Sequence, residues 1–441
     1  MTGPLSAKRP SAEHLPAERL SAATLGRLPA GIATPAYDRR ALRPTVLHLG
    51  AGAFHRCHQA EYADDVLADG ATVGAIAAVN LRPPDLDAAI GVQDGLYCRE
   101  LRTGDHVERR IIGSILAAHT VPDPADPAHR PALERALATA SDPAIGVISC
   151  TVTEKGYCHV PATGELDDAH PDIVHDIADP RHPRSLPGFV LETIRRRLAA
   201  GLPLPVLLSC DNVPGNGATF RRVVTGLAER VAPELAARIA AEALFPDTMV
   251  DRIVPATREE NVRAFAEATG LHDAGLVSGE PFRMWVIDAI ARDRLPAWDR
   301  AGAILTPQVH VYETLKMRVL NGIQSTTCQL GVLAGIPTMA DLMADPDLRA
   351  FARRSIEREV VPSLPPVPGI DIPAYVEQSI ARLSDPSLRH ACTQISTDGS
   401  RKIRQRVIEP LLAARAEGRS TPCLLLGLAG WIRYEIGRAH V

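Results

Sequence analysis

Lysine is almost absent. The chain of 441 residues carries 48 Lys plus Arg, yet only Lys8, Lys155, Lys316 and Lys402 are lysine. Arg keeps its proton in any protein setting, whereas a partly buried Lys drops its pKa toward neutrality and can accept a proton. A chain that uses Arg elsewhere keeps Lys either where deprotonation matters or as a remnant of Arg-rich codon usage, and composition alone leaves both readings open. Also missing is any apolar run long enough to span a bilayer, so no membrane partner is expected. The opening stretch MTGPLSAKRPSAEHLPAERL lacks the apolar segment of a secretory signal, and residues 1–40 read as a leader, mobile at its start. A net charge of −4 gives no reason to expect nucleic acid. The eight cysteines, at 57, 98, 150, 158, 210, 328, 392 and 423, form neither a CxxC pair nor a disulfide-like framework. Scattered thiols suit a reducing cytoplasm, which is the expected location.

What is present is enough chain for more than one core. The apolar share of 46% and charged share of 23% are those of a globular protein. Between about residues 44 and 300, short apolar runs alternate with helical patterns. The runs at 45–49, 73–79, 144–153, 205–210 and 248–254 read as strands of a parallel sheet covered on both faces. Helical spacing lies between them, as at 58–69 and 186–200. The pattern predicts an α/β, Rossmann-type doubly wound domain over 41–300, followed by a mostly α-helical domain over 301–441. Asp345 and Asp371 stand where helix N-caps belong, and the Pro-rich stretch 362–370 reads as a stiff connector.

The stretch VLHLGAGAFHRCHQAEY (46–62) is a strand, a glycine turn and a helix start. Gly50 and Gly52 allow close approach of backbone to a pyrophosphate. The third glycine of the usual fingerprint is replaced by His55, leaving Phe54, His55 and Arg56 as further cofactor contacts, with Arg56 as a phosphate counter-charge. The second strand ends in Asn80 and Arg82 rather than an acid, which leaves NAD and NADP both open. His55 and His58 have no third ligand beside them, and no Cys/His set supports a zinc alcohol dehydrogenase, so no metal is expected. Asp211 and Asn212 follow another strand, where ligands bind in such sheets and where plain turns also occur. In KMRVLNGIQS (316–325) a continuous helix would put Glu313, Lys316 and Gln324 on one face, with Asn321 at its margin and Leu315, Val319 and Ile323 opposite. Gly322 costs such a helix about 1 kcal/mol relative to Ala, so a close approach is expected there. The arrangement suits a buried Lys base, or equally an amphipathic helix with a wet polar face.

The motifs GAGAFHRCHQ, TVTEKGY, SCDNVPGNG, MVDRIVP, EPFRMWVI, YETLKMRVLNG and DGSRKIRQR occur in this order. Together they resemble the polyol-specific long-chain dehydrogenases, the mannitol dehydrogenase family, which includes fructuronate and tagaturonate reductases. The resemblance runs from about residue 20 to 434. It implies a Rossmann-type domain and a helical domain with the active site between them, and metal-free hydride transfer between NAD(P) and a sugar alcohol or hexonate, or its ketose. It further implies Lys316 as general acid/base, Asn212 and Asn321 on the substrate oxygen, and Asp251 as the strand-loop acid. Glu313 and Lys402 match substrate-site positions. A hexuronate reductase is the alternative within the family, and a cofactor-binding relative without catalysis is the alternative outside enzymes. A small-molecule substrate and a monomer or weak oligomer are expected.

The sequence departs from the family in places. The usual LNGSHS motif carries a His that contacts substrate; Gln324 stands here and cannot titrate. Gln394 resembles the hexuronate-reductase branch more than the mannitol branch, where Arg is common. Members continue well past GWIRY, whereas this chain ends EIGRAHV. IGRAHV reads like a translated sequencing-adapter tail, so a truncated, chimeric C-terminus is expected.

Overall fold

In the computed structural model, which describes residues 18–439, the strands in chain order are β1 (Val46–Leu49), β2 (Ile76–Asn80), β3 (Tyr97–Thr103), β4 (His106–Ile112), β5 (Ile115–Thr120), β6 (Val147–Cys150), β7 (Val206–Ser209), β8 (Thr248–Asp251), β9 (Val277–Gly279), β10 (Met284–Ile287) and β11 (Ile304–Leu305). Five of them form a parallel sheet in the order β5-β2-β1-β6-β7. Every residue of β1, β2, β6 and β7 is buried, as near-continuous apolar runs require. Side chains alternate between two cores. Leu47, Leu49, Val79 and Ile148 meet Phe189, Ile194 and Phe220 on one face. Val46, Ile76, Val147 and Leu208 meet Tyr62 and Val66 on the other.

Register then levels the strand ends. Leu49 pairs with both Val79 and Cys150, and Cys150 pairs with Ser209. Gly50, Asn80 and Thr151, which come next, and Asp211, two residues past Ser209, therefore share the carboxyl edge of the sheet, where the order reverses around β1.

The run at 248–254 is a strand, but not of this sheet. β8 pairs antiparallel with β10, which pairs parallel with β11. Apolar content alone does not distinguish a strand of the main sheet from one of a small neighbouring sheet. β3 and β4 form a hairpin, and β9 pairs parallel with β3.

Of the expected leader 1–40, residues 1–17 lie outside the described residues. The rest is not a leader: Leu20 is buried with Leu96, Cys98, Ile111, Phe265 and Leu271, its N–H donates to the His272 carbonyl at 2.9 Å, and the Ala33 carbonyl accepts from Ile111 N–H at 2.8 Å. Apolar residues spaced among prolines bury themselves here without any periodic pattern. The suspect C-terminal tail also falls partly outside, at residues 440–441.

From residue 308 the chain is helical. Helices α1 (Ala53–Cys57), α2 (Val309–Arg318), α3 (Leu320–Leu333), α4 (Ile372–Leu383) and α5 (Pro422–Ala439) matter most below. The second core gathers Ile323 and Cys328 of α3 with Leu342, Ile356, Val376 and Leu424. Asp345 accepts from the N–H groups of Asp347 and Leu348, and Asp371 from that of Ala374, as N-caps. The expected single helix over 311–335 is broken at Val319, where φ is −91° and ψ −79°.

Candidate active site

Among the cavities along the carboxyl edge of the sheet, two hold the residues expected at the site. One, of about 300 Å³, is lined by Gly50, Gly52, Asn80, Arg82 and Thr151 among others. Gly50 has φ of +86°, and a Cβ there would stand 2.4 Å from the Thr151 carbonyl oxygen, so only glycine fits the turn. Gly52 caps α1, and a Cβ on it would meet nothing nearer than the Gly50 carbonyl at 3.9 Å. The space above Gly52 is thus open to a ligand, which is what a dinucleotide pyrophosphate needs. Asn80 ties the turn together: Oδ1 accepts from Ala51 N–H at 2.9 Å, and Nδ2 donates to the Pro84 carbonyl at 2.8 Å.

The other residues expected on the cofactor do not line this cavity. Arg56 is buried, donates to the Ala51 carbonyl at 3.0 Å and lies 5.8 Å over the Tyr97 ring. It braces the turn from behind and is no phosphate counter-charge there. His55 is buried and stacks on His48 with centroids 3.4 Å apart, its pKa driven down to about 3 by burial and then by Arg56. Phe54 stacks on His58 at 5.1 Å. Proximity in sequence to a glycine turn does not aim a helical side chain at the ligand.

The second cavity, of about 530 Å³, lies between the two domains and is lined by Asn212, Asn321, Gln324, Gln394, Lys402 and Arg406 with others. Lys316 is 4% exposed, and its Nζ donates to Asn212 Oδ1 at 2.7 Å, across the domain boundary. Burial drives its pKa down to about 8, against the opposing pull of Asp251 and with help from Arg406 and Arg382. The polar face of α2 therefore meets protein rather than water. Asn321 Nδ2 donates to Gln324 Oε1 at 2.9 Å, and the buried Asn321 Oδ1 has no partner. Gly322 makes no tight approach: a Cβ would meet Ile356 at 3.6 Å and the Arg406 carbonyl at 3.7 Å, ordinary contacts.

Asp251 is buried beside this site but is fully engaged. Arg382 of α4 clamps it at 2.7 and 3.0 Å, and the Tyr375 hydroxyl donates to it at 2.9 Å. Burial raises its pKa, but Arg382 outweighs that and leaves it below the ordinary value. Arg382 also reaches Glu280 at 2.7 Å, so α4 is bolted to β8 and the segment before β10. Glu313 accepts from Gln405 at 3.3 Å, and burial raises its pKa. Lys402 donates to the Thr397 carbonyl at 2.7 Å.

Sequence reasoning missed several neighbours. Arg406 is 8% exposed, donates to Ser325 Oγ at 3.3 Å, and has its pKa lowered to about 10 by burial. Asp211, which the sequence did place at a strand end, accepts from Val152 N–H, Thr153 N–H and the Tyr157 hydroxyl at 2.9 to 3.0 Å, while burial raises its pKa to about 6. Arg382 and Tyr375 carried no motif beyond helical spacing. Arg406 sat inside DGSRKIRQR, and its burial was the missing information.

Residues 44–300 match the family model of the mannitol dehydrogenase Rossmann domain, and 308–440 that of the mannitol dehydrogenase C-terminal domain. The chain is 39% identical over 410 residues to the D-mannonate oxidoreductase of Escherichia coli (strain K12), covering 92% of this chain and 83% of that protein. It is 39% identical over 410 residues to a mannitol 2-dehydrogenase of Cereibacter sphaeroides, covering 92% of this chain and 84% of that one. The solved ternary complex of Pseudomonas fluorescens mannitol 2-dehydrogenase with NAD and D-mannitol superposes with a TM-score of 0.86 at 33% identity, covering 94% of this chain and 84% of that one. The chain belongs to the mannitol dehydrogenase family and is one of its oxidoreductases.

Proposed function

We propose that this chain interconverts a sugar alcohol or hexonate and its ketose by metal-free hydride transfer with NAD, Lys316 serving as general acid/base. The carrying observation is the buried Lys316, which donates at 2.7 Å to Asn212, a residue lining the interdomain cavity. Gly50, Gly52 and Asn80 would hold the dinucleotide. With Asn80 committed to backbone and Arg82 at the rim, NADP is admitted as well. The bound nicotinamide supplies or accepts the hydride.

The protein's part is the proton and the developing charge. With a pKa lowered to about 8, Lys316 exists in both forms near neutrality, and its neutral amine accepts the substrate hydroxyl proton. Because Asn212 Oδ1 accepts from Lys316, its Nδ2 points elsewhere as a donor for the substrate oxygen. Asn321 is the second amide. Rotating the Asn321 and Gln324 amides together exchanges donor and acceptor without losing their mutual bond, so the unpartnered Asn321 position can donate to an alkoxide-like oxygen. Asp251 acts through Lys316, opposing the burial that lowers its pKa. Gln394 and Lys402 line the cavity that would receive the rest of the substrate.

A second reading, reduction of a hexuronate, is favoured by Arg406 and Lys402. Both line the cavity, and among the described residues no carboxylate is bonded to either, so they suit a substrate carboxylate. Measuring NADH and NADPH oxidation with fructose, xylulose, fructuronate and tagaturonate separates the readings. Turnover of none of them with either cofactor removes both and leaves a cofactor-binding relative.

A further inference from the structure

Among the described residues, one group of metal-ligating side chains lies outside the hydride site. Cys158, His170 and Asp172 each offer one ligand atom, and these atoms all lie within 4.8 Å of one another. We propose that the three form a binding site for a single thiophilic divalent cation of the Zn²⁺ class, with its fourth position open to water.

The donor set is one thiolate, one imidazole and one carboxylate, the mixture that tetrahedral zinc takes with bonds of about 2.0 to 2.3 Å. His170 Nδ1 is already 3.9 Å from Asp172 Oδ2, so side-chain adjustments of roughly 1 Å bring the ligands to bonding geometry. The backbone holds the three donors in place. Cys158 has a left-handed φ of 50°, and its carbonyl accepts from Asp167 N–H at 2.9 Å. His159 and Leu166 bridge across the loop between them, and His170 N–H donates to the Asp167 carbonyl at 3.0 Å. His170 then caps the helix Pro171–Ala178, whose first turn contains Asp172.

Charge favours a cation. The Cys158 thiol faces Asp172, Asp176 and Asp167, with Arg82 as the opposing guanidinium, and burial above all pushes its pKa up to about 12. Metal binding takes the thiolate, so the thiol proton leaves to solvent as the sulfur–metal bond forms. Two contacts compete with the ion: Arg82 on Asp172 Oδ2 at 2.7 Å, and Asp172 N–H on His170 Nδ1 at 3.2 Å. Arg82 also lines the cofactor cavity, so its contact with Asp172 sets the site at the rim of that cavity.

The test uses metal-free full-length protein titrated with Co²⁺, then with competing Zn²⁺, followed by the thiolate-to-cobalt charge-transfer absorption. The expected result is one equivalent of ion bound with that absorption, lost in Cys158→Ala and weakened at least about tenfold in His170→Ala and Asp172→Asn. Affinity should rise at least about tenfold per pH unit as the thiol proton is released. Uptake without thiolate absorption, absorption that persists in Cys158→Ala, or pH-independent uptake overturns the proposal. Should Cys158→Ala fail to fold, unchanged Zn²⁺ affinity in both other variants overturns it equally.

Discussion

At the scale of single residues, Lys316 is 4% exposed, and desolvation above all lowers its pKa to about 8. Removing the proposed base in Lys316→Ala is expected to cost roughly two to four powers of ten in kcat while cofactor affinity, measured by fluorescence titration, stays near native. The pH profile carries its own sign. Alcohol oxidation needs the neutral amine and should rise through pH of about 8, whereas ketone reduction needs the ammonium and should fall through the same range. An oxidation rate that declines there would contradict the assignment. Gln324 sits one bond from Asn321 and cannot titrate. Gln324→His should therefore redistribute kcat/KM among ketoses by about 1–3 kcal/mol, leaving the main ionisation at Lys316 in place. Activity created from nothing by that change would instead mark Gln324 as a lost catalytic group. The glycine turn was legible in the sequence, since the backbone leaves room for glycine alone at Gly50 and open space above Gly52. Arg56 was not, because nothing in its sequence position tells which way the guanidinium turns.

Elements were legible where periodicity is strong and less so where neighbours decide. The strands of the parallel sheet that announced themselves are the doubly buried ones. The β3–β4 hairpin went unread although Gly104 and Asp105 between alternating segments suit a two-residue turn, because charged residues such as Arg99, Glu100 and Arg109 mask the apolar face. The break at Val319 also escapes periodicity, since the hydrogen bonds of Val319 to Leu315 and of Ile323 to Val319 keep the helical spacing through it at 2.8 Å each. It redirects α3 so that Asn321 and Gln324 line the cavity beside Asn212 and its partner Lys316. α4 has a different task. Its Arg382 is the common counter-ion of the buried Asp251 and Glu280. Arg382→Met would leave two carboxylates buried without their cation, and the expected loss is about 3–5 kcal/mol in chemical denaturation. Native stability in that variant would show that the clamp between α4 and β8 is dispensable.

For the whole molecule, the two-domain reading survived because each domain needs its own apolar core, and the chain builds both. One is the pair of layers on the parallel sheet, and the other surrounds α3. What sequence spacing could not deliver is how distant segments meet. Lys316 and Asn212 meet across the domain boundary, while Cys158, His170 and Asp172 converge at the rim of the cofactor cavity without any motif spacing. The two convergences predict different responses to metal removal. In the proposed hydride site the buried amine supplies the base and the two amides meet the oxygen's charge, so no Lewis acid is required there. The Cys158 cluster holds no group assigned to the reacting oxygen. Prolonged treatment with EDTA or phenanthroline is therefore expected to leave the steady-state rate unchanged, even when it strips an ion from Cys158. A rate that falls on chelation and returns only with added Zn²⁺ would place a metal in the chemistry and remove Lys316 as the sufficient base.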